Sequence, residues 1–306
     1  MALNVNIKRS VLLLILLALG LFGTPSFAGG QTTLQEAYPD LGFGVLRFAK
    51  LADLPKGTVL RADDTVIDES LLLQMVEKES PEFLEDMKKN LLFVLEKEVK
   101  NKLLLAEAYQ NGYPKEAPED QTIASFKNSK VPALSVSDET AKAFYEENSH
   151  SFGNLPFEQV SDGVKEYLLD QKREEAYEAY LLDLARSKSM QIQSSWAKKN
   201  SAPARDNPVD EARRSGKPTL VEFGRTGCPA CDMMQPILLN LEERFLAKMN
   251  IVFIHIHHFP YLASRYRINL IPVQAFFDNT GKEVFRHVGF YPQSEIEKRL
   301  VEMGVK

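Results

Sequence analysis

The stretch Leu220-Val-Glu-Phe-Gly-Arg-Thr-Gly-Cys228-Pro-Ala-Cys231-Asp-Met-Met-Gln-Pro236 decides how the C-terminal third of this chain is read. An apolar run of strand character ends at a glycine, a short turn follows, and two cysteines three residues apart open a helical stretch. At that spacing the first thiol sits at the helix N-terminus and the second lies one turn inside, so both face one site. These are the only 2 cysteines in 306 residues. A structural zinc site needs further ligands, and no second CxxC supplies them. The pair therefore points to reversible disulfide chemistry, with a zinc or purely structural role as the alternative.

Outward from the cysteines, the order of elements over 207–306 is legible. A short helix at 208–215 precedes a strand at 219–224, and the CxxC helix runs to about Lys248. A strand at 250–257 and a helical turn at 261–266 follow. Strands at 273–278 and 283–287 join through Asn279-Thr-Gly281, a hairpin turn. Ser294-Glu-Ile-Glu297 has the capping-box pattern that opens a final helix. Strands alternating with helices predict an α/β three-layer sandwich.

These features together resemble the thioredoxin family: Gly216-Lys-Pro-Thr-Leu-Val-Glu-Phe ahead of the cysteines, Cys228-Pro-Ala-Cys231, Pro236 five residues on, Ile271-Pro272, and Gly281 and Gly289 in the closing hairpin. Cys228 at the helix start is stabilised as thiolate by backbone amides and the helix dipole, and attacks a substrate disulfide. Cys231, less exposed, resolves the mixed disulfide. The resemblance sets Glu222 where thioredoxins carry a buried aspartate that accepts the proton of the second cysteine; the glutamate is one methylene longer, and the alternative is an exposed edge-strand residue. It sets Ile271-Pro272 in the cis-proline loop that offers backbone atoms to substrate, and gives Pro236 a structural role. No cofactor and no metal is implied. Gly227 replaces the tryptophan many members place before the first cysteine, and Pro-Ala between the thiols lacks the histidine of strongly oxidising relatives, which favours the reductase direction. His255, His257 and His258 cluster at a strand end, either as ordinary polar termination or as a metal site, and His255 falls where some members carry a lysine that tunes the thiols.

Toward the N-terminus, Lys8-Arg9, the apolar run 11–22 and Thr24-Pro-Ser26-Phe-Ala28 have the three regions of a secretory signal, with cleavage expected after Ala28. The alternative is an uncleaved anchor, although the apolar run is shorter than the roughly 20 residues a span requires. Residues 29–59 carry a weak pattern broken by Pro39, Gly42, Gly44 and Pro55. Leu84, Met87, Leu91, Leu95 and Val99 recur at helical spacing on one long helix over 83–109. Ser137 caps a helix over 136–148, and a last long helix covers 157–187.

Three segments, 83–109, Val136-Ser-Asp-Glu-Thr-Ala-Lys-Ala-Phe-Tyr-Glu-Glu-Asn148 and Leu155-Pro-Phe-Glu-Gln-Val160 with its continuation to Arg173, resemble the SurA-type family of periplasmic chaperones. The resemblance covers 60–192 and implies an all-α domain. The parvulin insert of many members has no room in the six residues 149–154, so no prolyl isomerase activity is expected. Residues 193–206, with two prolines and the lone Trp196, form the expected linker to the thioredoxin-like domain at 207–306.

A formal net charge of -5 gives no basic excess, so no nucleic-acid partner is expected. An exported chain with only one cysteine pair uses it chemically rather than architecturally. The sequence is thus expected to encode a periplasmic or otherwise exported thiol-disulfide oxidoreductase acting on protein disulfides or thiols, with an unidentified redox partner. Membrane contact is expected only through the signal peptide before cleavage. A holdase-type chaperone with secondary redox activity is the alternative.

Overall fold

Residues 32–152 and 155–305 are described in the structure, a computed structural model, so the signal-like segment 1–28 lies outside the described residues. Thr33 caps a one-turn helix, α1 (Leu34–Ala37), through a reciprocal pair of hydrogen bonds with Glu36. Strand β1 (Lys50–Ala52) is followed by β2 (Thr58–Ala62) and β3 (Thr65–Asp68), which pair antiparallel across a two-residue turn. Asp63 opens that turn at φ 48°, a conformation that aspartate tolerates better than most residues. Helices α2 (Glu69–Glu77), α3 (Pro81–Lys89), α4 (Leu91–Gln110), α5 (Glu119–Lys130), α6 (Asp138–Glu147) and α7 (Phe157–Ser187) then follow in order.

The helix expected over 83–109 is two helices. Asn90 breaks it at φ -111°, ψ 38°, its Nδ2 donating to the Asp86 carbonyl at 2.7 Å alongside its own backbone amide at 3.1 Å. The predicted stripe is buried from Met87 onward, at Leu91, Leu95 and Val99, but α4 also buries Leu92, Val94 and Leu103 to Leu105 and so sits in the middle of the region. Even Glu96 is buried, its Oε1 accepting from the Val45 amide at 3.1 Å, and desolvation raises its pKa. Ser137 does cap α6, accepting from the Thr140 amide at 3.2 Å.

An all-α region is not what forms. Strand β4 (Met190–Gln193), directly after α7, inserts between β1 and β2 to give a four-stranded sheet ordered β1-β4-β2-β3. The alternation Met190-Gln-Ile-Gln193, buried at positions 190 and 192, is the period-2 signal that overrides a helical reading. The pairing also gives the described part of the weakly patterned N-terminal segment, residues 32–59, a place in the fold, since β1 lies parallel to β4. The expected linker is folded as well: α8 (Ser194–Ser201) buries Trp196 and Ala197, and a 3-10 turn at Pro203–Arg205 follows.

The remaining elements are α9 (Pro208–Arg214), β5 (Thr219–Gly224), α10 (Pro229–Phe245), β6 (Asn250–His255), α11 (Pro260–Arg265), β7 (Val273–Phe277), β8 (Glu283–Val288) and α12 (Gln293–Glu302). Their sheet is ordered β6-β5-β7-β8, with β5 and β6 parallel and the other pairs antiparallel. The expected capping box does not form: α12 starts one residue earlier, with Pro292 at the cap, and Glu297 instead accepts from Gln293.

Alternation divides this sheet into two faces. Leu220, Glu222, Gly224, Gln274 and Phe276 point one way; Leu220 and Phe276 join Met234, Leu238 and Leu241 of α10 and Ile296 and Leu300 of α12 in one core. Val221, Phe223, Val273, Ala275 and Phe277 point the other way, into a core continuous with Leu46, Leu72, Leu95 and Leu104 of the N-terminal region. Thr32–Lys306 is accordingly one compact unit, and residue 206 is no boundary in its packing.

Candidate redox site

Cys228 is the N-cap of α10 and Pro229 its first residue, where a missing amide hydrogen costs nothing. The Cys228 Sγ accepts from the Cys231 amide at 3.3 Å, so the helix start already solvates this sulfur. Here the two cysteines are joined in a disulfide, with Cα atoms 5.2 Å apart. Cys228 keeps 8% of its surface and Cys231 only 1%: the order of exposure is the expected one, yet even the outer sulfur is largely enclosed. Gly227 adopts φ 76°, which disfavours every side chain at that position, tryptophan included. Pro236 lies inside α10 and withholds one backbone donor there.

Gly224 brings the strand against the inner sulfur. A Cβ on it would stand 3.3 Å from the Cys231 Sγ and 3.1 Å from the Phe253 ring, so any side chain here would press β5, α10 and Phe253 apart by a few tenths of an ångström. Glu222 lies two residues earlier on the same face of β5, in the middle of the sheet rather than at its edge, and is fully buried. Desolvation pushes its carboxyl up to about 8, against a smaller opposing effect of the Gln274 amide. Register sets Gln274 directly across from Glu222, and Val273 across from Phe223, so Pro272 comes opposite Gly224 beside the disulfide. The Ile271-Pro272 peptide is cis, and the Gly289 amide donates to the Pro272 carbonyl at 2.8 Å.

The His255 Nε2 accepts from the Thr226 amide at 3.4 Å, tying β6 to the loop that carries Cys228, and its ring stacks on His258 with centroids 4.1 Å apart. Burial and the adjacent His258, His257 and Arg225 lower its pKa. Among the described residues no group of three His, Cys, Asp or Glu has the geometry to hold a metal ion.

Two residues of this neighbourhood escaped the sequence reading. Gln274 is one, although a polar residue inside Val273-Gln-Ala-Phe-Phe277 is the same signal that singled out Glu222. Asn148, at the C-cap of α6, is the other: it is 7% exposed, and its Oδ1 lies 3.7 Å from where a Cβ on Gly289 would stand. No local pattern announces that contact. A cleft of about 1050 Å³ lies elsewhere, between α7 and the residues leading to the cis proline; Glu174, Glu178, Arg47, Arg267, Asn269 and Leu270 are among its walls. Val273 also lines it, which sets it on the sheet face opposite Glu222 and the disulfide.

A mixed sheet with helices on both faces, a dithiol at the start of the helix after its central strand, and a cis proline ahead of the antiparallel strand define a thioredoxin-like domain. Comparison with known proteins agrees, for the thioredoxin-like domain model matches residues 206–304. The thioredoxin-like protein slr0233 of Synechocystis sp. is 31% identical over 86 residues, covering 28% of this chain and 81% of that protein. By this domain the chain belongs to the thioredoxin-like family. The thiol:disulfide interchange protein TxlA homolog of Synechocystis sp. is 29% identical over 98 residues, 31% of this chain and 54% of that protein. Thioredoxin Y, chloroplastic, of Oryza sativa subsp. japonica is 33% identical over 87 residues, 28% and 51% of the two chains. The chain thus spans about half the length of these last two relatives.

Proposed function

We propose that this protein is a thiol-disulfide oxidoreductase acting on protein substrates through Cys228 and Cys231. The observation that carries the reading is the bonded pair at the N-terminus of α10, packed on Gly224 of β5, with the Glu222 carboxyl buried two residues earlier on the same strand face. In the reductive direction the Cys228 thiolate attacks one sulfur of a substrate disulfide, forming a mixed disulfide and expelling the other sulfur as thiolate. Glu222 takes the proton of the Cys231 thiol. The resulting thiolate attacks the Cys228 Sγ and releases the second substrate sulfur. Two electrons pass to the substrate, and a dithiol donor must reduce the pair again. Ile271 and Pro272 bind the substrate backbone beside the pair.

The absence of a histidine between the thiols favours this direction over oxidation. The secretory-type pattern of 1–28 supports export, while among the described residues no helix is long and apolar enough to cross a membrane. The N-terminal region, SurA-like in its helical phrases, selects the protein substrate, a reading favoured by Asn148 reaching the Gly289 loop beside Pro272. Dithiol-dependent reduction of a protein disulfide is expected to vanish in Cys228→Ala; retained activity sinks the proposal. The chaperone alternative gains if the full chain carrying both Cys228→Ser and Cys231→Ser still suppresses aggregation of a cysteine-free client.

A further inference from the structure

Beyond the dithiol and its carboxyl, the sheet face under α10 holds one more buried polar side chain. Gln274 and Glu222 are both completely inaccessible to solvent and are directly opposed in the antiparallel register of β5 and β7. Neither oxygen of the carboxyl and neither polar atom of the amide has a hydrogen bond of ordinary geometry, yet the amide is near enough to favour the ionised carboxyl. Four buried polar atoms with no other outlet are costly in an apolar core unless they answer one another. Directly opposed residues of an antiparallel pair are close enough to do so, and rotation of the amide about its last torsion brings its NH2 to the carboxyl.

Among the described residues no other group answers the carboxyl. Apolar Phe253 of β6 is the register partner of Glu222 on the other side, and Gly224, next on the same face of β5, packs on Cys231 of α10. Beyond Gln274 the same row continues to His287 of β8. His287 stacks on Tyr291, and its Nε2 lies 3.1 Å from the Phe290 carbonyl, which fixes that nitrogen as the donor. Burial lowers its pKa, against smaller opposing effects of the Phe290 carbonyl and of Glu147 of α6. Desolvation and the Gln274 amide are the influences acting on Glu222; the titratable side chain in the same row is His287, one residue removed, and Cys231, near Gly224, is held in the disulfide.

We infer that Gln274 is a positioning residue: its amide donates to the ionised Glu222 carboxyl and holds it toward Cys231. The two states of Glu222 then differ in what Gln274 gives them. The carboxylate gains a charge-assisted hydrogen bond, while the neutral acid gains a weaker one. The amide thereby keeps a carboxyl in an apolar site able to lose its proton near neutrality and so able to receive the proton of Cys231. The chemical use of this device rests on the dithiol reading above; the device itself does not.

The test reads Glu222 directly. The carbonyl stretch of a protonated buried carboxyl, followed by infrared difference titration of the full chain, is assigned to Glu222 by its loss in Glu222→Gln. In Gln274→Leu the titration midpoint is expected to rise by about one pH unit or more, a proton-binding constant at least tenfold higher. Gln274→Met, which fills the volume without a donor, is expected to do the same and serves if the leucine variant fails to fold. Midpoints within about 0.2 units of the unsubstituted protein in the folded variants overturn the inference, as does a Glu222 band missing at every pH between about 4 and 10. The two readings fail separately: an unmoved midpoint leaves the activity lost in Cys228→Ala untouched, and activity retained in Cys228→Ala leaves a moved midpoint standing.

Discussion

Both faces of the β5–β8 sheet are buried, and they use that burial differently. Under α10 and α12 the face is apolar at Leu220 and Phe276 but carries Glu222 and Gln274 in its middle, both stripped of water. On the other face Val221, Phe223, Val273, Ala275 and Phe277 are uniformly apolar and run into the core of the N-terminal region. The contrast teaches where a fold can hold chemistry. A buried carboxyl costs stability, so it sits on the face enclosed by the domain's own helices, while the face that joins the rest of the chain is left to adhesion.

Breaking the chemical face at its sulfur is expected to have the largest effect. Cys228→Ala should abolish turnover of a protein disulfide with an unchanged thermal transition of the reduced protein, and Cys231→Ser should accumulate mixed disulfides visible as higher-mass species without reductant. Breaking the adhesive face is expected to cost stability instead. Arg265 of α11 grips Asp210 of α9 with two hydrogen bonds of 2.6 and 2.8 Å, both side chains being buried, and Asp40 from the N-terminal region lies 4.0 Å away. Asp210→Ala leaves that guanidinium short of its closest partner, and chemical denaturation should show a loss of about 3–5 kcal/mol.

The next effect sharpens the comparison by pH. The Glu222 carboxyl, raised from 4.5 to about 8, holds its proton more tightly folded than unfolded. Its contribution is fully present below about pH 4.5 and is lost as pH climbs through about 8, so the stability of the reduced protein should decline by up to roughly 4 kcal/mol across that window. Glu222→Gln should flatten the decline, as read by denaturant midpoints at pH 5, 7 and 9; an identical slope in both proteins would remove the buried-base assignment. Far from both faces, Ser137→Ala should cost only about 1 kcal/mol by uncapping α6.

Legibility followed the range of the interactions. The strands and helices of 207–306 were readable because each is a local pattern, down to the turn at Asn279-Thr-Gly281. Glu222 stood out as a carboxylate inside an apolar run, and Gln274 carried the same signal on the neighbouring strand of the sheet. What was not readable depends on partners far along the chain. Met190 to Gln193 reads as a helix end or a linker until β1 and β2 are set beside it, and Asn90 interrupts a helical stripe whose apolar spacing continues unbroken across it. Asn148 gained its place from Gly289, which no pattern around either residue encodes.

The insertion of β4 between β1 and β2 sets an order on assembly. Lys50 pairs with Gln191, the Leu54 amide donates to the Gln193 side chain 139 residues later, and Arg205 grips Asp40 across 165 residues with two hydrogen bonds of 2.6 Å. A chain made from its N-terminus therefore presents its first strands long before their central partner exists. The β2–β3 hairpin can close at once, but β1 and the free edge of β2 stay unpaired until the whole helical stretch and β4 have emerged, a topology of high contact order that is slow to close and leaves strand edges exposed in the meantime. The thioredoxin-like domain follows directly on that closing step, so the dithiol is completed last, on a platform that has only just been locked.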